Sequence, residues 1–271
     1  MHTTRAGETT VSEEQASRQP RYPDLADKVA VISGGSRGIG AATARAMAAN
    51  DAAVAVIGRD EHALAAVTAA IEAAGGRAIA VTADCTDEVQ ISRASRTVAE
   101  QLGPVDILVA FAGGNGMPVP TVKETAAHWR EVIESDLTST FLTTSAFLPG
   151  MLERGRGSII TMSSAAARQA AQSNAAYAAA KAGVIAFTRH LANETASHGV
   201  RVNCLAPSAI ENDRIRTWTT AQQREQLAAA FPLRRIGQPD DVAAATLFLA
   251  SEASSWITGI TLDIAGGKVM L

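Results

Sequence analysis

The chain has 271 residues, 47% of them hydrophobic, and a formal net charge of −3. That length and apolar content suit one large α/β domain or two small ones, and without a Lys/Arg-rich block nothing recommends nucleic acid or an anionic membrane as partner. Cys85 and Cys204 lie apart with no CxxC, and His2, His62, His128, His190 and His198 form no HxxxH or HExxH. Reduced thiols and no metal site are therefore expected.

Residues 1–24 are polar and lack the apolar core of a signal peptide, so a disordered tail is expected there. Charges interrupt every later apolar stretch before membrane-spanning length, which predicts a soluble, cytoplasmic protein. From Lys28 onward, short apolar runs alternate with longer helical patterns. "KVAVIS" (28–33) reads as a buried strand, then glycines, then the helix "AATARAMAAN". "AAVAVIG" (52–58) is a second strand, followed by a helix that ends in two glycines. Further strands are expected at 77–84, 105–114, 157–164, 200–207 and 258–267. Helices are expected near 86–102, 125–152 and from 174 past Asn193. Unbroken apolar strands separated by helices predict one doubly wound α/β domain over 25–271, its parallel sheet covered on both faces.

Between the first strand and first helix lies "SGGSRGIGAA", with glycines at 34, 38 and 40. Such glycines let the backbone turn tightly, and the helix N-terminus offers free N–H groups to a pyrophosphate. The second strand ends at Gly58 without the acid that usually holds an adenosine ribose. Arg59 follows, and Arg37 lies inside the glycine loop. Two arginines at places that would flank one phosphate favour NADP(H) over NAD(H). Both are also ordinary candidates for surface charge. Asp60 is placed to cap the next helix, and Asp84 either meets adenine or caps the helix after it.

Tyr177 and Lys181 stand four apart in the alanine-rich "NAAYAAAKAGVIAFTRH", so they share one face of a helix. Taken alone, the pair reads as a solvated lysine beside a half-buried tyrosine. A neighbouring cation also favours a phenolate, which makes the phenol a better proton shuttle. Ser164, at the C-terminal end of a predicted strand, is placed to hydrogen-bond a reacting oxygen.

In order and spacing these segments resemble the short-chain dehydrogenase/reductase family over about residues 25–268. "SGGSRGIG" is similar to its TGxxxGIG loop, "FAGG" to the end of its NNAG strand, and "NCLAPSAI" to its N-x-[IV]-x-PG turn. Ser164 and Tyr177-xxx-Lys181 match its Ser-(12)-Tyr-xxx-Lys centre. The C-terminal segment from "PLRRIGQPDDVAAA" resembles that of its 3-oxoacyl-acyl-carrier-protein reductases. The resemblance implies a Rossmann-type fold with seven parallel strands, hydride transfer between nicotinamide and a ketone or secondary alcohol, and a homotetramer. It makes Tyr177 the acid/base, has Lys181 bind the nicotinamide ribose and favour the phenolate, and gives Ser164 the reacting oxygen. It implies a dinucleotide held by Gly34, Ser36, Arg37, Gly38, Ile39, Gly40, Arg59, Asp84, Cys85, Ala112, Gly113, Tyr177, Lys181, Pro207, Ser208 and Ile210.

Four departures stand out. Ser33 replaces the loop threonine but keeps a hydroxyl. Ala110 and Phe111 replace the two asparagines of NNAG. Ser208 and Asn212 replace the glycine and threonine of the PGxxxT turn. Asp136 stands where the family has its catalytic asparagine, seven residues after the matching Trp129. An aspartate there accepts the same hydrogen bonds and, in the family geometry, places a carboxylate near Lys181. An NADP(H)-dependent ketone reductase is the leading reading. An alcohol or sugar dehydrogenase, and a nucleotide-binding redox sensor that has lost catalysis, are the alternatives. Segments 114–120, 165–172 and 208–234 are expected to line the substrate mouth, where Arg214, Arg216, Arg234 and Arg235 are candidates to meet an acidic carrier.

Overall fold

The computed structural model describes residues 20–170 and 173–270. Seven strands, β1 (Val29–Ser33), β2 (Ala53–Gly58), β3 (Arg77–Thr82), β4 (Ile107–Ala110), β5 (Gly157–Met162), β6 (Val200–Pro207) and β7 (Thr261–Ile264), form one sheet in the order β3-β2-β1-β4-β5-β6-β7. Every pairing is parallel. All seven fall within runs read from the sequence, and the outer residues of those runs became loop.

Alternate residues of β1 show why both faces are covered. Ala30 and Ile32 join a cluster with Ala44, Met47, Val242 and Leu247 from α1 (Gly38–Ala49) and α9 (Pro239–Ala250). Val29 and Val31 join another with Ile91, Phe147 and Leu191 from α3 (Glu88–Gln101), α5 (Ser139–Arg154) and α6 (Ala175–Thr195). A strand apolar on both sides needs helices on both sides. The remaining helices are α2 (Glu61–Ala73), α4 (Ala126–Ile133), and two short ones after β6, α7 (Asp213–Trp218) and α8 (Ala221–Ala229).

Two features differ from the sequence reading. The 125–152 stretch is not one regular helix: Glu134–Thr138 forms a π turn between α4 and α5. The expected tail falls mostly on residues 1–19, which lie outside the described residues. Its last residues pack onto the domain, where the Tyr22 N–H donates to Asn50 at 2.7 Å and Asp24 accepts from the Glu252 N–H at 2.8 Å.

Candidate active site

The strand order reverses between β1 and β4, and at such a point loops diverge beyond the C-terminal strand ends to leave a crevice. The β1–α1 loop forms its floor. Gly34 and Gly38 have φ of 67° and 51°, and a side chain on Gly40 would press into the Gly34 carbonyl. The hydroxyl of Ser33 accepts the N–H groups of Phe111 (3.1 Å) and Ala112 (3.3 Å), binding this loop to the end of β4. Phe111, in the place of an asparagine, is buried in the core beside α1.

Two connected clefts leave this loop. One, about 680 Å³, is lined by Ser36, Arg37, Arg59, Asp84, Cys85 and Ala112. The other, about 310 Å³, is lined by Ile39, Ser164, Tyr177, Lys181, Pro207 and Ile210. Both include Gly34, Arg37, Gly113 and Gly114. A crevice of two halves meeting over a glycine-rich loop and a helix N-terminus fits a dinucleotide whose pyrophosphate sits at the junction. The residues expected from the sequence to hold the cofactor therefore line these two connected clefts.

Neither arginine lacks an acidic neighbour. Arg37 pairs with Asp60, and Arg59 lies 3.7 Å from Asp84. Asp60 also caps α2 through the Ala63 N–H, and that bond, then the Arg37 guanidinium, holds its carboxyl below the usual range. Asp84 accepts from the Thr86 N–H and hydroxyl at 2.9 and 2.8 Å, so it closes a turn, and Asp87 caps α3 instead. Burial pushes the Cys85 thiol up to about 11, so it lines the cleft as a neutral, apolar wall.

Asp136 lies in the π turn with no exposed surface, and its carboxylate is fully engaged. Oδ1 accepts the Gly114 N–H at 2.6 Å and lies 3.2 Å from Lys181 Nζ. Oδ2 accepts the Asn115 N–H at 3.2 Å and the Ser135 hydroxyl at 2.8 Å. A Cβ on Gly113, whose φ is 121°, would stand 2.6 Å from Oδ1, so only glycine fits beside this carboxylate. Lys181 is 2% exposed and also donates to the Met162 carbonyl at 3.2 Å. A buried ammonium and a buried carboxylate, each with further hydrogen bonds, meet the condition under which such a pair is tolerated.

Helix α6 begins at Asn174, whose side chain accepts the Tyr177 N–H. One turn on, Lys181 Nζ lies 5.6 Å from the centre of the Tyr177 ring. Ser163 bonds the Lys181 carbonyl at 2.7 Å, fixing the helix to the end of β5 beside Ser164. Ser164 accepts the Ala166 N–H at 3.2 Å. Ser164, Tyr177, Lys181 and Asp136 are thus gathered at the strand ends, with Ser208 held there by its N–H bond to Ile264 at 3.0 Å.

Of the candidate arginines of the 208–234 segment and its flank, the side chain of Arg214 lies outside the described residues, and the other three are engaged nearby. Arg216 pairs with Asp213, Arg235 binds Asp241 through two bonds, and Arg234 reaches the Ala229 carbonyl. In the 165–172 segment Arg168 is bound to Asp263 by two bonds of 3.0 Å, while residues 171 and 172 lie outside the described residues. Sequence reasoning missed Glu124. Its buried carboxylate accepts the Ala175 N–H at 3.1 Å at the start of α6 and bonds His128 at 2.6 Å. A glutamate fifty-one residues before the helix that it caps carries no local signal.

A family model described as enoyl-(acyl carrier protein) reductase matches residues 34–268. The chain is 39% identical to cis-4-hydroxycyclohexanecarboxylate dehydrogenase of Sinomonas cyclohexanicum, over 90% of this chain and 97% of that one. It is 37% identical to 3-oxoacyl-(acyl-carrier-protein) reductase FabG of Vibrio cholerae, over 92% and 100%. Among solved structures, levodione reductase superposes with a TM-score of 0.85 at 30% identity, over 90% of this chain and 98% of that one. With this crevice and these relatives, the chain belongs to the short-chain dehydrogenase/reductase family and is an oxidoreductase that uses a nicotinamide cofactor to interconvert a ketone and a secondary alcohol.

Proposed function

We propose that the protein is an NADP(H)-dependent ketone reductase in which Tyr177 moves the proton and Ser164 and Lys181 assist it. The observation that carries this reading is the juxtaposition of Tyr177 and Lys181 on one face of α6 with Ser164 at the end of β5, in the cleft that opens from the glycine loop. The nicotinamide, when bound, supplies or accepts the hydride. Ser164 donates to the carbonyl oxygen and holds it beside the phenol, which gives up its proton as that oxygen gains charge. The Lys181 ammonium has three N–H groups; Asp136 and the Met162 carbonyl engage two, leaving one for a ribose hydroxyl.

Arg37 and Arg59 favour NADPH. Their present ion pairs are exposed, and such pairs are worth about 1 kcal/mol or less, so a 2′-phosphate can displace them. The substrate class is a ketone of the kind reduced by the 3-oxoacyl-thioester and cyclic-ketone enzymes to which the chain is similar. We also propose a cytoplasmic homotetramer, with α5 and α6 meeting across a two-fold axis. Phe141 on α5 is half exposed and packs edge-on to Phe187 of α6, leaving an apolar face that a partner helix pair would cover. Turnover of a ketone panel with NADPH tests the activity. Loss of all turnover in Tyr177→Phe with NADPH binding kept is the expected result, and sustained turnover removes the tyrosine from the reaction.

A further inference from the structure

We propose that Asn174 and Gly116 are positioning residues that fix the Tyr177 ring, an inference that rests on Tyr177 being the proton shuttle. Asn174 is 1% exposed and its amide is used at both ends. Oδ1 accepts the Tyr177 N–H at 2.6 Å, while Nδ2 donates to the carbonyls of Asn115 (2.8 Å) and Met117 (3.0 Å). Between those two carbonyls sits Gly116. A Cβ there would stand 3.0, 3.1 and 3.2 Å from Cε1, Cδ1 and Cζ of Tyr177, so the glycine backbone lies directly against the phenol ring.

The other end of this segment is pinned as well, since the Gly114 and Asn115 N–H groups enter the Asp136 carboxylate that faces Lys181. Residues 114–117 are therefore held to the first turn of α6 by one side chain and to the lysine's counter-ion by another. Clamped this way, the segment forms a wall against the ring and restricts the phenol to the orientation in which Lys181 stands 5.6 Å from its centre. Gly116 is needed for close approach, because a Cβ there would require the ring or the wall to give by a few tenths of an ångström. Asn174 is needed because its amide hydrogen-bonds the wall directly to the first turn of the helix that carries the tyrosine. Proton transfer depends on such alignment, and a displacement of about 1 Å costs on the order of 100-fold in rate.

Two substitutions separate this role from general stability. Gly116→Ala pushes a methyl into the ring. Asn174→Ser keeps a short oxygen able to cap α6 but removes both donors to the wall. In ketone reduction, each variant is expected to lose about tenfold or more in kcat while the Kd for NADPH, read by fluorescence titration, stays within about twofold. If Tyr177→Phe is inactive yet both variants keep the parent kcat, the positioning role is overturned and the catalytic reading stands. If Tyr177→Phe turns over freely, the catalytic reading itself fails. Parallel loss of kcat and NADPH affinity also overturns the positioning role. Should Gly116→Ala not fold, Asn174→Ser decides by the same criterion.

Discussion

Asp136 Oδ1 and Lys181 Nζ stand 3.2 Å apart, with both side chains shut off from solvent. The carboxylate opposes the field that the ammonium exerts at the phenol one turn away, and so opposes the phenolate that alcohol oxidation needs. Asp136→Asn removes that charge. The alkaline rise of oxidation should then move to lower pH. The same variant places an amide among donors that wanted two acceptor oxygens, so stability should fall by about 1–3 kcal/mol. A kcat/KM profile for alcohol oxidation against pH, with denaturant unfolding, reads both; an unmoved profile refutes the electrostatic argument.

Gly113→Ala tests the socket from the other side. A methyl at φ 121° and 2.6 Å from Asp136 Oδ1 combines backbone strain with a clash, costing about 1–3 kcal/mol or more. Thermal melting should drop, and NADPH binding should weaken as the loop shared by both clefts shifts. A melting curve superimposed on the parent's would show that the socket yields freely.

Cofactor discrimination should depend on salt. Both arginines of the adenosine end are mostly exposed, and exposed charges are screened within about 10 Å at 0.1 M ionic strength. NADPH is expected to bind more tightly than NADH at low salt, and the ratio should shrink in high salt. Arg59→Asp should reverse the preference, because a carboxylate repels the 2′-phosphate and accepts from a free 2′-hydroxyl. Equal dissociation constants for the two cofactors in the parent would contradict this.

Acid sensitivity should trace in part to Asp241. Hydrogen bonds from Arg235, at 2.6 and 2.7 Å, hold its carboxyl below the usual range, against the opposing effect of burial. A carboxyl lowered in the folded state adds stability above its unfolded value of about 3.9, and that contribution disappears as pH falls through the folded value. Asp241→Asn should therefore be less stable than the parent at pH 6 and nearly equal to it at low pH. A stability difference that persists in acid would point to lost packing instead.

The sheet was legible because its inner strands are apolar on both faces, as in "VAVIS" and "AVAVIG", although the edge strand β3 alternates buried and exposed residues. The Tyr177–Lys181 stacking followed from helical spacing alone. The acid–arginine pairs at the adenosine end were missed because Arg37 and Asp60 come from different βα turns, which only the β1–β2 register brings together. The π turn was invisible for a related reason. Its sequence, ESDLT, carries no glycine or proline, and the turn is held by partners distant in the chain, from Gly114 to Lys181.

That π turn accommodates one more residue than a regular helical turn. Removing a single residue between 134 and 138 would let α4 and α5 join as one uninterrupted α-helix, so the backbone would gain regularity while losing its purpose. The flanking helices would keep their faces, while residues within the turn would shift by one position, about 100° around the helix axis. The aspartate would leave the lysine, and the 114–115 amides would face an empty socket. Codon-sized deletions there should yield well-folded, catalytically silent proteins, whereas the same lesion in the exposed α7–α8 segment should be absorbed.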